Sequence, residues 1–148
     1  MQSINIEYTF YLVDPIDMPH ALAQLVQGVP LPEGLDRDAL LDALMSREEV
    51  MSTAIGNGIA IPHVRKFGSE SLKTDVVYVA YLFAPVEWKA PDEQPVHTLF
   101  LVLASDETRH LQILAQIAKL ASDDHFVEFL KTMPAHEALM ERVRQMEV

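Results

Sequence analysis

Residues Val76 to Val86 read VVYVAYLFAPV, the longest apolar run in the chain. It is far shorter than the roughly 20 residues that a membrane-spanning helix needs. Its β-branched and aromatic residues, apolar almost without interruption, instead predict a strand over Val76–Phe83 that is covered on both faces. Val96 to Ala104 (VHTLFLVLA) reads the same way. Two such strands need helical layers above and below them, which points to an α/β fold.

The flanking sequence supplies those layers. Asp106 is placed to cap a helix running to about Ala121, with Leu111, Leu114, Ala118 and Ala121 on one stripe and Ile113 and Ile117 beside it. Two more helices are expected, over about Asp123–Lys131 and Pro134–Met146. Upstream, Asp17–Gln27 reads as a short helix with Pro19 in its first turn and Gly28 at its stop. Asp36 caps another, in which Leu40, Leu41, Leu44, Met45 and Val50 recur at helical spacing. Ile4 to Leu12 alternates, placing Ile4, Ile6, Tyr8, Phe10 and Leu12 on one side of a half-buried strand. Ile55–His63 (IGNGIAIPH) combines Gly56 and Gly58, which permit an unusual turn, with a short strand that Pro62 ends, leaving His63 at the strand's end. There is no internal repeat and no linker long enough to divide the chain. The expected architecture over residues 1–148 is a single-domain α/β sandwich, with a central mixed β-sheet flanked by helices on both faces.

At 148 residues and 49% apolar content, the chain can bury one ordinary core. Its 22 acidic residues against 11 basic give a charge of −11, which argues against nucleic acid as a partner. Most of that excess reads as solvated surface. The absence of cysteine excludes disulfides, a thiolate nucleophile and Cys-based metal sites. The opening MQSINIEYTF has no basic segment followed by an apolar one, so no membrane insertion and a cytoplasmic location are expected.

Elimination narrows the chemistry. No glycine-rich loop ends in Gly-Lys-Ser/Thr, which removes P-loop nucleotide hydrolysis. Gly56-Asn57-Gly58 begins like a dinucleotide fingerprint, but Ile61 stands where the third glycine belongs and a strand follows instead of a helix. No serine occupies a G-x-S-x-G elbow. The 6 histidines include no pair at i,i+3 or i,i+4, so no metal site is expected. Histidine itself remains as a nucleophile, because neutral imidazole, with an ordinary pKa of about 6.5, offers a lone pair at neutral pH. Taken alone, a strand-terminal histidine such as His63 is more often structural, His110 is most simply a residue at a helix start, and Arg47 and Glu48 fit a solvated helix end. His97 reads as structural, and Met45, Met51, Met140 and Met146 as adaptable packing.

The stretch Arg47 to His63, REEVMSTAIGNGIAIPH, resembles the signature of the mannitol/fructose-type enzyme IIA domains of the bacterial sugar phosphotransferase system, including their nitrogen-regulatory relatives. The similarity continues through Pro85-Val86-Glu87-Trp88, Pro95-Val96 and His110-Leu111, covering about residues 35 to 146. The N-terminal segment departs from it, with Asp14-Pro15 and Met18-Pro19 where relatives commonly show a lysine-containing helix start. Val64-Arg65-Lys66 adds two positive charges after the histidine.

The resemblance implies that His63 accepts a phosphoryl group, that His110 stands beside it, and that Arg47 contacts the phosphoryl oxygens. It implies a histidine-containing phosphocarrier protein as donor and a IIB domain or regulatory target as acceptor. These roles suit the residue types. Arg47 offers a planar bidentate fork, and His110 lies near a helix N-terminus, where anions are favoured by ~0.3–1 kcal/mol. Thr53 is a candidate hydroxyl donor to the phosphoryl group. A donor that is already reactive needs no metal, so no cofactor is expected. The alternative is a non-catalytic regulatory module of the same type, acting through protein contacts alone.

Overall fold

The structure is a computed structural model that describes residues 4–64, 75–104 and 106–147. In chain order its elements are β1 (Ile6–Leu12), α1 (Met18–Gly28), α2 (Arg37–Val50), β2 (Ala54–Gly56), β3 (Ile59–Ala60), β4 (Val76–Val86), β5 (Val96–Leu103), α3 (Glu107–Ala121), α4 (Asp124–Lys131) and α5 (His136–Met146). The strands form one five-stranded sheet in the order β1-β4-β5-β3-β2. β1 runs parallel to β4 and β3 parallel to β5, while β4–β5 and β2–β3 are antiparallel, so the sheet is mixed as expected.

The two apolar runs are the central strands. Alternate side chains feed two cores: Tyr78, Ala80, Leu99 and Leu101 pack toward α1 and α2, while Val77, Val79, Phe100 and Val102 pack toward α3, α4 and α5. Continuous apolar character thus follows from burial on both faces. Tyr78 and Tyr81 keep their hydroxyls satisfied on the carbonyls of Pro30 (3.0 Å) and Pro134 (2.9 Å). Among the described residues no helix is long and apolar enough to cross a membrane.

The caps expected at Asp36 and Asp106 are in place, and Asp17 and Asp123 cap α1 and α4 in the same way. Asp17 accepts from the His20 N–H at 3.0 Å, Asp36 from Asp38 at 3.0 Å, Asp106 from Arg109 at 2.8 Å and Asp123 from Phe126 at 3.0 Å.

Three expectations need correction. The residues of β1 do not share one side: Ile4 and Ile6 join the core under α3–α5, whereas Phe10 and Leu12 join the other. Ile6 pairs with Val77 and Tyr8 with Tyr78, so two residues of β1 advance against one of β4, and the irregularity at Glu7 reverses the faces. α1 ends at Gly28 as expected, and that glycine also serves a close approach, since a Cβ there would lie 2.4 Å from the Phe10 ring. In α2 only Leu40 and Leu44 are buried, and Val50 is exposed. In α3 the core stripe is Ile113, Ile117 and Leu120, while Leu111 faces solvent.

Candidate active site around His63

The hairpin β2–β3 aims the chain at the site. Gly56, Asn57 and Gly58 all have positive φ (99°, 56° and 79°), a run that L side chains other than Asn rarely adopt. Gly58 is required on a second ground, because a Cβ would fall 2.2 Å from the His97 ring. Asp92 holds the turn by accepting from the Asn57 N–H at 2.8 Å. His97 in turn contacts Thr98 Oγ1 at 2.8 Å through Nδ1, in keeping with a structural role. From this turn β3 runs beside β5, and the Val102 N–H donates to the Pro62 carbonyl at 3.0 Å, so His63 lies against β5 through a bridge to Val102.

His63 is half-buried, and its Nδ1 lies 2.7 Å from the Ile61 carbonyl. A carbonyl oxygen can only accept, so Nδ1 carries the proton and Nε2 keeps its lone pair. Burial lowers the pKa of His63 below the ordinary value of 6.5, and the nearby Arg47 charge acts in the same direction. The Ile61 bond and Glu48 oppose the shift without reversing it. The ring is therefore held neutral, in one tautomer, at neutral pH.

His110, in the first turn of α3, is buried, and its ring centroid lies 5.0 Å from that of His63 with the planes inclined at 57°. Arg47 occupies the last turn of α2, half-buried, with Nη1 donating to the Met51 carbonyl at 2.7 Å. Thr53 is buried, and its hydroxyl donates to the Glu48 carboxylate, which also accepts the Thr53 N–H at 2.9 Å. The fold thus places Thr53 beside the site but commits its hydroxyl to Glu48. Arg65 and Lys66 lie outside the described residues.

Arg47, Thr53 and His63 share the wall of an open cleft of about 1370 Å³. The remainder of its wall includes Met51, Ile55, Trp88 and Leu114. Met51 is 69% exposed, so it belongs to a surface and not to the packing expected of it, whereas Met140 and Met146 do pack on the α3–α5 core. Sequence reasoning missed the brace that Glu48 makes to Thr53; the Arg-Glu pair followed by Ser-Thr was its signal. It also missed Ser52, whose hydroxyl donates to the Trp88 carbonyl and accepts from the Ala54 N–H at 3.1 Å. Among the described residues no group of three or more His, Asp or Glu is gathered to hold a metal. What the arrangement offers is a neutral imidazole nitrogen at an open cleft, with a guanidinium on the same cleft wall and a second imidazole against its ring.

Residues 5–146 match the family described as phosphoenolpyruvate-dependent sugar phosphotransferase system, EIIA 2. The chain is 38% identical over 115 residues to a nitrogen regulatory protein of Pseudomonas aeruginosa, an overlap of 76% of this chain and 72% of that one. Its fold is similar to that of nitrogen regulatory protein IIA-Ntr from Neisseria meningitidis, with a TM-score of 0.80 at 23% identity and 92% of both chains covered. It is also similar to enzyme IIAMTL in its complex with phosphorylated enzyme IIBMTL from Escherichia coli. There the TM-score is 0.70 at 17% identity, over 92% of this chain and 94% of that one. The chain belongs to the EIIA 2 family.

Proposed function

We propose that this member of the EIIA 2 family is a cytoplasmic phosphoryl carrier. In this reading His63 accepts the group from a histidine-containing phosphocarrier protein, and residues 1–148 act as one domain. The observation that carries the reading is the bond from His63 Nδ1 to the Ile61 carbonyl at 2.7 Å, which leaves Nε2 as the nucleophile. In the transfer the Nε2 lone pair forms a new N–P bond while the donor's N–P bond breaks, and that electron pair returns to the donor imidazole. No proton has to leave His63. The phosphorylated ring, still protonated at Nδ1, carries a positive charge that the Ile61 carbonyl stabilises, and it departs as neutral imidazole in the onward transfer.

The protein's part is to position groups and to meet charge on the equatorial oxygens. Arg47 supplies guanidinium N–H groups from the end of α2, and His110 supplies an imidazole from the start of α3. Thr53 contributes by fixing Glu48, one residue from Arg47. The onward acceptor is a IIB domain or a regulatory target. The regulatory branch draws support from the nitrogen regulatory proteins, which are 38% and 37% identical to this chain over 76% of its length.

Incubation with phosphoenolpyruvate, enzyme I and the histidine carrier, followed by intact mass measurement, tests the reading. An acid-labile adduct of one phosphoryl group, missing from His63→Ala, is the expected result. Lack of the adduct in the unaltered protein would instead leave a module that signals by contact alone.

A further inference from the structure

The first turn of α3 carries a second cation that takes no part in the chemistry so far described. Arg109 precedes His110 and is 6% exposed. Its Nε lies 3.3 Å from Asp75 Oδ2, in an ion pair whose side chains are 7% and 10% exposed. Its Nη1 donates to Gln116 Oε1 at 3.3 Å, two turns further along the same helix. Gln116 Nε2 in turn donates to Glu147 Oε2 at 3.1 Å, and that oxygen also accepts the Ile4 N–H at 3.2 Å. At the other end Asp75 is tied to the residue before β1, its carbonyl accepting from Asn5 Nδ2 at 3.1 Å.

The chain of bonds runs from the edge of the sheet to the end of α5, and its centre is one residue from the histidine that faces His63. The remaining turns of α3 are held by Ile113 and Ile117 in the core, through contacts with no directional preference. Its first turn is the one whose N–H groups the helix leaves unbonded, so its position must be set from outside. Among the described ties there are the Asp106 cap and the ion pair and amide bond of Arg109. Burying a guanidinium with a carboxylate gains little stability over an apolar pair of similar size. What such a pair supplies here is direction.

We infer that Arg109 is a positioning residue, which with Asp75 and Gln116 fixes the first turn of α3 so that the His110 ring stands at its working distance from His63. The inference rests on the reading of His63 as the phosphoryl acceptor. Arg109 is 6% exposed, so little of it is open to a docking partner, and it acts on the transfer step.

The decisive variant is the double substitution Arg109→Met with Asp75→Leu, which removes the directional pair but keeps a filled core. Single-turnover phosphorylation is followed as the concentration of phosphorylated histidine carrier is raised, beside unaltered protein, Arg109→Lys and His63→Ala. The double variant is expected to melt at or above the normal temperature, with its maximal rate about tenfold lower and its half-saturating donor concentration unchanged. Arg109→Lys, which keeps one charged contact to Asp75, should recover part of the rate. A folded double variant with the normal maximal rate overturns the inference, as does a loss that lies wholly in half-saturation. Failure of the unaltered protein to be phosphorylated, or acceptance by His63→Ala, would overturn the phosphoryl-carrier reading itself and this inference with it.

Discussion

Two helix ends near His63 carry arginines of opposite character. At the end of α2, Arg47 is half-buried on a cleft wall, with one bond to the Met51 carbonyl of its own helix terminus. At the start of α3, Arg109 is buried in an ion pair and tied to Gln116. A guanidinium that must meet an incoming phosphoryl group has to remain reachable, and a half-exposed one can exchange its carbonyl for phosphoryl oxygens at small cost. A guanidinium that sets geometry has to be out of reach of water, where its partners stay fixed. On the proposed reading the same residue type does different work at two helix ends near one histidine, and burial decides which.

The contrast can be broken in order of expected effect. His63→Ala removes the nucleophile and should abolish phosphoryl acceptance, read as complete loss of the acid-labile mass increment. Arg47→Ala should slow transfer by about 10²-fold, the scale seen when one donor to a developing oxyanion is removed. Its stability should change by no more than about 0.5 kcal/mol, as for a surface substitution. His110→Ala should behave in the reverse proportion. Losing one hydrogen-bonding group near the phosphoryl site costs about tenfold in rate, while truncating a buried side chain costs about 1–3 kcal/mol of stability. Denaturant unfolding beside single-turnover kinetics would separate the two profiles. Equal stability losses in Arg47→Ala and His110→Ala would erase the distinction between an open side and a locked one.

The sequence made much of the open side legible and little of the locked side. Caps, glycine turns and apolar strands are local signals, and they placed His63 just beyond a short strand and His110 near the start of α3. The exposure of Leu111 and Met51 was not legible, because helical spacing shows which residues share a face but not whether that face meets the core or a partner. The reversal of β1 at Glu7 depends on its register against β4, far away in the chain. The Asp75–Arg109 pair joins residues on different elements, and nothing in the local pattern of either marks it. Resemblance to a family pointed to the residues proposed to meet the phosphoryl group, and it carried no information on a brace outside its motifs.

Met51 sharpens the reading of the open side. It is 69% exposed on the cleft wall, and burying it against a protein partner should contribute to docking without contributing to the chemistry. Met51→Ser is expected to raise the half-saturating concentration of the donor carrier about threefold to fivefold, equivalent to about 1 kcal/mol. The maximal rate and the unfolding midpoint should stay unchanged. A drop in the maximal rate would show that the side chain also shapes the transfer geometry.

The smallest expected effect concerns pH, and it compares His63 with His97. Burial lowers the pKa of both below 6.5; Arg47 reinforces the shift at His63 and Lys131 at His97. In the interval between the folded value and 6.5 the unfolded chain binds more protons than the folded one, so stability rises with pH across it. The contribution is fully present above 6.5 and is lost as pH falls through the folded values. Each histidine should contribute separately to the slope, so His63→Asn should flatten the decline seen in urea midpoints below 6.5 and leave the part due to His97. The transfer rate has the same sign, since protonation removes the Nε2 lone pair, and of these two histidines it depends on His63. His97→Asn should therefore flatten the stability profile while leaving the acidic fall in transfer rate in place. A shift of that fall in the His97 variant would show that the turn at Gly58 controls the nucleophile, and that the two histidines act as one unit.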